Sequence, residues 1–335
     1  MLKTLRRRLV GRDWNTATKK DLLYCYRLLL GRKPDKEGWH TFIADVSKGG
    51  ISIQRLVRCF ISSPEFRSNE IARSLYQSRP EKINIEGYQM YVAPPDSAIG
   101  KFIIENREWE PHVSRAMRDL LKPAMVFLDI GANIGYFSLL AASKVGPEGK
   151  VISFEPDQFN CSLIHMSARE NGFNNIDIYP FAAAEKKKNL IYDSIDGNGT
   201  VSNYDLNISD LAGRTVVCAV TVDDMLKDEE RIDIMKIDIE GAEFIALQGA
   251  KKTISRHKPI IFSEFCPAGL ENISHASARE YLEELHLLGY QIAVLDRKGE
   301  VLHFGADIGE VIRFYQSQSH GHIDLLATPA DRQIV

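Results

Sequence analysis

An apolar run, Val126-Phe-Leu-Asp-Ile130, passes directly into Gly131-Ala-Asn-Ile-Gly135, and Tyr136 to Val145 continue with apolar residues at helical spacing. No other feature constrains the chain as much. A buried strand that runs through a glycine turn into a helix belongs to a parallel α/β sheet. It aims the free backbone N–H groups of the helix start at a crevice beyond the strand's carboxyl end. A second run, Lys150-Val-Ile-Ser-Phe154, is followed by Glu155. That residue lies about two dozen positions beyond Gly131, the spacing at which a carboxylate accepts hydrogen bonds from both ribose hydroxyls of a nucleoside. The bland alternative is a glycine turn that merely joins strand to helix, and the position of Glu155 weighs against it.

The turn itself selects among nucleosides. A dinucleotide fingerprint reads G-x-G-x-x-G, and its second glycine lets the main chain approach a pyrophosphate. Here that position holds Asn133, within the pattern Asp129-x-Gly131-x-Asn133-x-Gly135. An asparagine side chain obstructs a diphosphate but suits a smaller zwitterion, the methionine end of S-adenosyl-L-methionine. Asp129 likewise favours a cationic ligand. The expected cofactor is therefore S-adenosyl-L-methionine, bound by Asp129, Gly131, Asn133, Gly135 and Glu155. A nicotinamide-dependent oxidoreductase would use the same ribose acid, but Asn133 argues against it.

A chain of 335 residues is long enough for more than one domain, since domains run about 100–200 residues. A net charge of -3 gives no electrostatic reason to expect nucleic acid as a partner. Cys25, Cys59, Cys161, Cys218 and Cys266 are scattered, odd in number and without a C-x-x-C pair. They read as reduced core residues of a cytoplasmic protein. No apolar stretch approaches the ~20 residues of a transmembrane helix. Residues 1–20 form a basic segment, with Leu2, Leu5 and Leu9 able to share one helical face among Lys3, Arg6, Arg7 and Arg8. It reads either as a frayed terminus or as a peripheral attachment to the inner face of a membrane.

Residues 21–76 read as a small all-α bundle. Leu22, Leu23, Tyr26, Leu29 and Leu30 recur at helical spacing up to Gly31. A second helix follows near Lys36–Val46, a third is capped by Ser52 and runs through Phe60, and a fourth starts at Ser63-Pro64. Residues 77–335 form the main domain, with strands near Arg79–Asp96 and a boundary at Pro94-Pro95. Beyond Glu155 the expected elements are a helix over Asn160–Asn171, a third strand over Ile176–Pro180 and a fourth over Ile232–Ile237. A single helix over Ala242–Ile254, a fifth strand over Pro259–Glu264, a helix over Ala276–Leu288 and a sixth strand over Tyr290–Leu295 follow. His322–Thr328 closes as a seventh strand. Alternation at these intervals requires a parallel sheet covered on both faces. The short link before the seventh strand shows no convincing helix, so that strand is expected to be antiparallel. Asn189–Val222 exceeds what a crossover needs and reads as an inserted hairpin with a lid-like loop around Asp196-Gly-Asn-Gly-Thr200.

A second chemical cluster is Met235-Lys-Ile-Asp-Ile-Glu-Gly-Ala-Glu243. Lys236, Asp238 and Glu240 alternate at the carboxyl end of the fourth strand, where open α/β sheets put their active sites. Ile232, Ile234 and Ile237 mark that strand as buried, so the charges must meet each other or a ligand. Structural pairing of Lys236 with an acid competes with a catalytic role. Glu264 ends the fifth strand on the same rim. Glu240 is the first choice for a catalytic base, with Asp238, Lys236 and Glu264 around it. No metal site is compelling. His320-Gly-His322 could turn two imidazoles to one side of a strand, but no third ligand stands near them.

Trp109-Glu-Pro111, Leu128-Asp-Ile-Gly-Ala-Asn-Ile-Gly-Tyr-Phe137, Phe154-Glu-Pro156, Thr221-Val-Asp-Asp224 and Lys236-Ile-Asp-Ile-Glu-Gly-Ala-Glu243 resemble the FkbM-type methyltransferases in order and spacing. The resemblance covers about Ile104 to Pro329. It implies a seven-stranded Rossmann-like methyltransferase sheet with its last strand antiparallel, preceded here by the bundle. It also implies O-methylation of a hydroxyl, commonly on a sugar or a glycosylated or polyketide product. It carries over Glu110 as a further cofactor-binding residue, together with Asp129, Gly131, Asn133, Gly135, Glu155, Lys236, Asp238 and Glu240. A divalent ion bound by carboxylates, as some other O-methyltransferase families use, would fall to Asp238 and Glu264. Tyr26 through Trp39 and Phe60-Ile-Ser-Ser-Pro-Glu-Phe66 resemble a small helical domain found beside bacterial surface-glycan enzymes, itself similar to the phycobilisome linker repeat. That association points toward polysaccharide biosynthesis, with protein docking as one role for the bundle and plain stabilisation as the other. A non-catalytic cofactor-binding adaptor is a further alternative, against which the intact acidic clusters speak.

Overall fold

The computed structural model of the chain describes residues 15–68, 80–92, 98–195, 198–202 and 215–332. The chain divides into two compact units, Met1–Arg79 and Pro80–Val335. In the first, α1 (Lys19–Tyr24) continues as a π-helical turn, Cys25–Leu29, and is followed by α2 (Lys36–Ser47), α3 (Ile53–Ile61) and α4 (Pro64–Ser68). Each longer helix begins where a short polar side chain takes up an orphan backbone donor. Thr18 closes a capping box with Asp21, Asp35 accepts from Gly38, and Ser52 accepts from Arg55. The first helix therefore starts two residues before Asp21. Leu22, Tyr26, Val46, Leu56 and Phe60 meet in one apolar core. Residues 1–14 of the basic segment lie outside the described residues.

The second unit opens with the hairpin β1 (Glu81–Ile85) and β2 (Tyr88–Val92), then α5 (Ala98–Asn106) and α6 (Pro111–Leu120). Pro94 and Pro95 lie outside the described residues. The α/β alternation follows as β3 (Val126–Ile130), α7 (Tyr136–Val145), β4 (Lys150–Phe154), α8 (Gln158–Asn171) and β5 (Ile176–Tyr179). After an insertion come β10 (Ile234–Ile237), α10 (Glu243–Gln248), α11 (Lys251–His257), β11 (Ile260–Phe265), α12 (Pro267–Ile273) and α13 (Ala278–Leu287). The chain then runs through β12 (Tyr290–Leu295), β13 (Val301–Gly305), α14 (Ile308–Ser317) and β14 (Ile323–Pro329). One sheet holds eight of these strands in the order β13-β12-β14-β11-β10-β3-β4-β5. β3 pairs parallel with β4 and β10, and β14 runs antiparallel to β11 and β12. Phe127 and Leu128 belong to separate cores on the two faces, and both are fully buried, as a doubly covered sheet requires.

The sheet has one more strand than the expected seven, and the link before the last strand does contain a helix. β13 folds back on β12 as a hairpin, which reverses the chain. The crossover through α14 then brings β14 in parallel to β13 and so antiparallel to its neighbours. The direction expected for the last strand is observed, but a hairpin causes it, not a short link. Gly305 and Gly309 at the start of this segment mask a helix that Asp307 caps through Glu310 N–H. The expected helix over Ala242–Ile254 is also two helices. Gly249 lies between them, and a Cβ there would come within 2.0 Å of the Ala184 carbonyl.

The insertion builds its own four-stranded sheet in the order β6-β9-β7-β8, from β6 (Ala182–Ala183), β7 (Lys188–Ile195), β8 (Asn198–Ser202) and β9 (Thr215–Val220), before the short helix α9 (Val222–Met225). The expected lid residues Asn198, Gly199 and Thr200 are strand residues of β8, paired with β7. Asp196 and Gly197 lie outside the described residues.

Candidate active site

Two glycines fix the turn after β3. At Gly131, φ is +88° and a Cβ would sit 2.0 Å from the Asp238 carbonyl, so the close approach of the β3 and β10 ends admits only hydrogen. At Gly135, φ is +90° and a Cβ would meet Ile164 at 2.6 Å, which lets α7 pack on α8. Asn133 between them takes φ +51°, a conformation asparagine tolerates better than most residues. Its backbone N–H donates to Glu155 Oε2 at 2.8 Å, and the Asp157 N–H donates to Oε1 at 2.8 Å. Both strand ends are thereby tied to one buried carboxylate. Burial raises the Glu155 pKa to about 7, against the partial opposition of these N–H donors.

Below the turn, Asp129 is fully buried. Its Oδ2 accepts from the Ser138 hydroxyl at 2.6 Å, and its Oδ1 has no protein partner. Burial raises its pKa, while the nearby Lys236 charge pulls it down. Lys236 is itself buried; its ammonium donates to Asp238 Oδ2 and lies 4.6 Å from the centre of the Phe137 ring. Burial alone would lower its pKa, but Asp238, Glu110 and Asp129 outweigh that and hold the amine protonated. The structural pairing considered for Lys236 is therefore present, and it lies inside the site.

Strained backbone marks the remaining acids. Glu110 takes φ +41° immediately before Pro111 starts α6, and its buried Oε2 has no partner. Burial raises its pKa to about 8, with Lys236 the main opposing charge. Glu240 and Gly241 take φ +54° and +100° in succession, which turns the chain sharply beyond β10. Burial and then the charge of Asp238 raise the Glu240 pKa to about 7. Glu264 ends β11 with Oε1 at 3.4 Å from His322 Nδ1 and with Oε2 unpartnered, and burial pushes its pKa well up.

A cavity of about 270 Å³ joins these groups. Glu110, Gly131, Asn133, Glu155, Lys236, Asp238, Glu240 and Glu264 all line it, so eight of the ten residues singled out from the sequence share one wall. Asp129 and Gly135 stand behind that wall, one under Lys236 and the other against α8. Phe154, Pro156, Phe181 and Tyr192 give it flat apolar surfaces. Sequence reasoning missed Glu243, whose carboxylate accepts the N–H groups of Ile239 and Gly241 at 3.0 and 3.1 Å and so holds the strained turn at Glu240. Glu243 is the last acid of the motif, at the first position of a helix, and that placement was the available signal. Tyr192 and Val201, contributed by the inserted hairpin, and His322 were missed as well. Among the described residues no group of three or more His, Cys, Asp or Glu side chains is arranged to hold a metal ion, and no helix is long and apolar enough to cross a membrane. The five cysteines are free; Cys25 is buried, whereas Cys59 is exposed and so is not a core residue.

Residues 129–292 match the family model described as the methyltransferase FkbM domain. A curated relative, the AMB antimetabolite synthetase AmbE of Pseudomonas aeruginosa, is 30% identical over 166 residues. That match covers 39% of this chain and only 8% of the relative's length. Among solved structures, the FkbM methyltransferase of Methylobacillus flagellatus is 18% identical, with a TM-score of 0.37, over 64% of this chain and 50% of that one. An S-adenosylmethionine-dependent O-methyltransferase of Thermotoga maritima is 16% identical, with a TM-score of 0.39, over 78% and 83%.

Proposed function

Because residues 129–292 belong to the methyltransferase FkbM family, we propose that the second unit moves a methyl group from S-adenosylmethionine to a hydroxyl oxygen of a sugar or glycan. The observation that carries this reading is the pairing, in one cavity, of the Glu155 cradle with a carboxylate, Glu240, whose pKa of about 7 suits a base at neutral pH.

The residues present fit the cofactor. Glu155 Oε2 uses one lone pair on the Asn133 N–H and keeps acceptor capacity for a ribose hydroxyl, while Oε1 accepts from both the Asp157 N–H and the Asn160 amide. Phe154, Pro156 and Phe181 offer apolar faces of the kind an adenine ring packs against. The unpartnered oxygen of Glu110, near Lys236, supplies an acceptor for the amino end of the methionine moiety, with Asp129 behind the wall. When bound, the cofactor supplies an electrophilic methyl on a sulfonium.

The protein then has to align an oxygen and remove a proton. A sugar hydroxyl is a weak acid and need not ionise in advance. As the oxygen takes up the methyl that the bound cofactor would supply, the hydroxyl proton would pass to Glu240. Asp238, which accepts from the Lys236 ammonium, hydrogen-bonds the acceptor or the cofactor's amino end. Glu243 acts through the turn it holds and does not touch the reacting atoms. The helical unit resembles domains found beside surface-glycan enzymes, and this favours a glycan acceptor and a docking role.

The test is incubation of the whole chain with methyl-labelled cofactor and surface-glycan extracts. Label in an alkali-stable ether on a sugar is the expected product. Label recovered in an ester, on nitrogen or on carbon would refute oxygen-ether transfer. Intact cofactor binding with no transfer to any hydroxyl compound would favour a non-catalytic adaptor.

A further inference from the structure

The catalytic cavity shares His322 with a second cavity of about 280 Å³, at the carboxyl end of β12 and the start of β14. The second cavity carries Asp296, Arg297, Lys298, His320 and Asp324. Both of its acids are occupied within the protein. Asp324 Oδ2 lies 2.6 Å from His112 Nε2. Asp296 Oδ1 accepts the N–H groups of Lys298 and Glu300 at 2.9 and 2.8 Å, which closes the turn between β12 and β13 and fixes Arg297 and Lys298 at its tip. Among the described residues neither Arg297 nor Lys298 forms an ion pair, although the Arg297 charge acts on the buried Glu110. Arg297 donates instead to His322 Nε2 at 3.2 Å. A guanidinium can only donate, so Nε2 is the accepting nitrogen of this contact, and Nδ1 lies 3.4 Å from Glu264 Oε1.

The two cavities therefore meet at one imidazole. Glu110, Asp238, Glu240 and Glu264 line one side together with Lys236, while Arg297 and Lys298 stand exposed on the other. An acceptor with a hydroxyl to be deprotonated and an anion to be bound would be oriented by that arrangement. We propose that the acceptor is itself an anion, whose phosphate or carboxylate docks at Arg297 and Lys298 while the hydroxyl to be methylated lies among the acids. This deepens the methyl-transfer reading and rests on it. The planar fork of Arg297 matches either oxyanion in bidentate geometry, and Lys298 adds a point charge.

The experiment is calorimetric titration of the full chain, loaded with S-adenosylhomocysteine, using glucose 1-phosphate, glucuronic acid and glucose. The anionic sugars should bind, weakening as salt rises, and glucose should not. A preference for glucose 1-phosphate would point to phosphate-linked sugars, and a preference for glucuronic acid to acidic glycans. Replacing both cations, Arg297→Gln with Lys298→Gln, should weaken the anionic sugars by about tenfold or more. Both side chains are exposed, so retained S-adenosylhomocysteine binding certifies that the double variant is folded. Glucose binding as well as the anions, neither anion binding, or unchanged affinity in the double variant would each overturn the proposal. If the parent fails to bind S-adenosylhomocysteine, the methyl-transfer reading is what has failed.

Discussion

Glu155→Ala separates cofactor recognition from folding. The carboxylate holds two backbone donors, from Asn133 and Asp157, each at 2.8 Å. Alanine would leave both N–H groups buried without an acceptor, at a cost of about 1–3 kcal/mol of stability each. It would also remove the acceptor for the ribose hydroxyls. Losing hydrogen bonds to a charged group costs about 1.5–3 kcal/mol, which corresponds to roughly 10- to 150-fold weaker binding of S-adenosylhomocysteine. Linkage gives an independent signature in the parent. Burial raises the Glu155 pKa to about 7 in the free protein, and hydroxyl donors favour the ionised form, so binding expels a proton whenever the pH lies below that value. Affinity should therefore fall as the pH is lowered through about 7, by at most about tenfold per pH unit, and level off above it. Calorimetry with S-adenosylhomocysteine at several pH values, beside a thermal melt of the variant, measures both effects. A variant that melts lower yet binds like the parent would refute the ribose assignment and leave Glu155 as a structural tie between β3 and β4.

Gly131→Val should abolish cofactor binding, because a Cβ 2.0 Å from the Asp238 carbonyl forces β3 and β10 apart at the cavity wall; a well-folded variant with parental affinity on calorimetry would contradict this. Glu240→Gln should lower turnover about 10²–10⁴-fold while cofactor affinity barely changes. In the parent, turnover should rise with pH through about 7 as Glu240 loses its proton; normal turnover in the variant would transfer the base role to Asp238, Glu264 or Glu110. A chain beginning at Ser78 should keep its fold and its cofactor affinity by circular dichroism and calorimetry, since the helical unit has a core of its own; insoluble aggregation would show the two units to be interdependent.

The local chemistry of the site was legible in the sequence because it is written in contiguous segments. The order strand, glycine turn, helix forces Gly131, Asn133 and Glu155 to one edge of a parallel sheet, whatever the rest of the chain does. The burial of β10 likewise forces Lys236 to find a charge, and it finds Asp238 two residues away. Partners distant in sequence were not legible in this way. Glu110 reaches the same cavity only because α6 shares a core with β3 in the folded unit, and it came forward by family resemblance alone. β13 and α14 were hidden by the glycines that bound them, and an unbroken apolar pattern over Ala242–Ile254 concealed a break that the Ala184 backbone imposes at Gly249.

The sequence by itself determined which residues could bind a nucleoside and which could hold or accept a proton, since those are properties of residue type and of spacing along single strands and turns. The tertiary structure alone decided the protonation behaviour of those groups. Glu155, Glu240 and Glu110 are ordinary carboxylates until folding withdraws water and surrounds them with like charges. It also decided which groups meet at His322, because Arg297 in the turn after β12 and Glu264 on β11 approach its two nitrogens. Desolvation and through-space charge depend on what packs nearby in three dimensions, and sequence spacing fixes neighbours only along the chain.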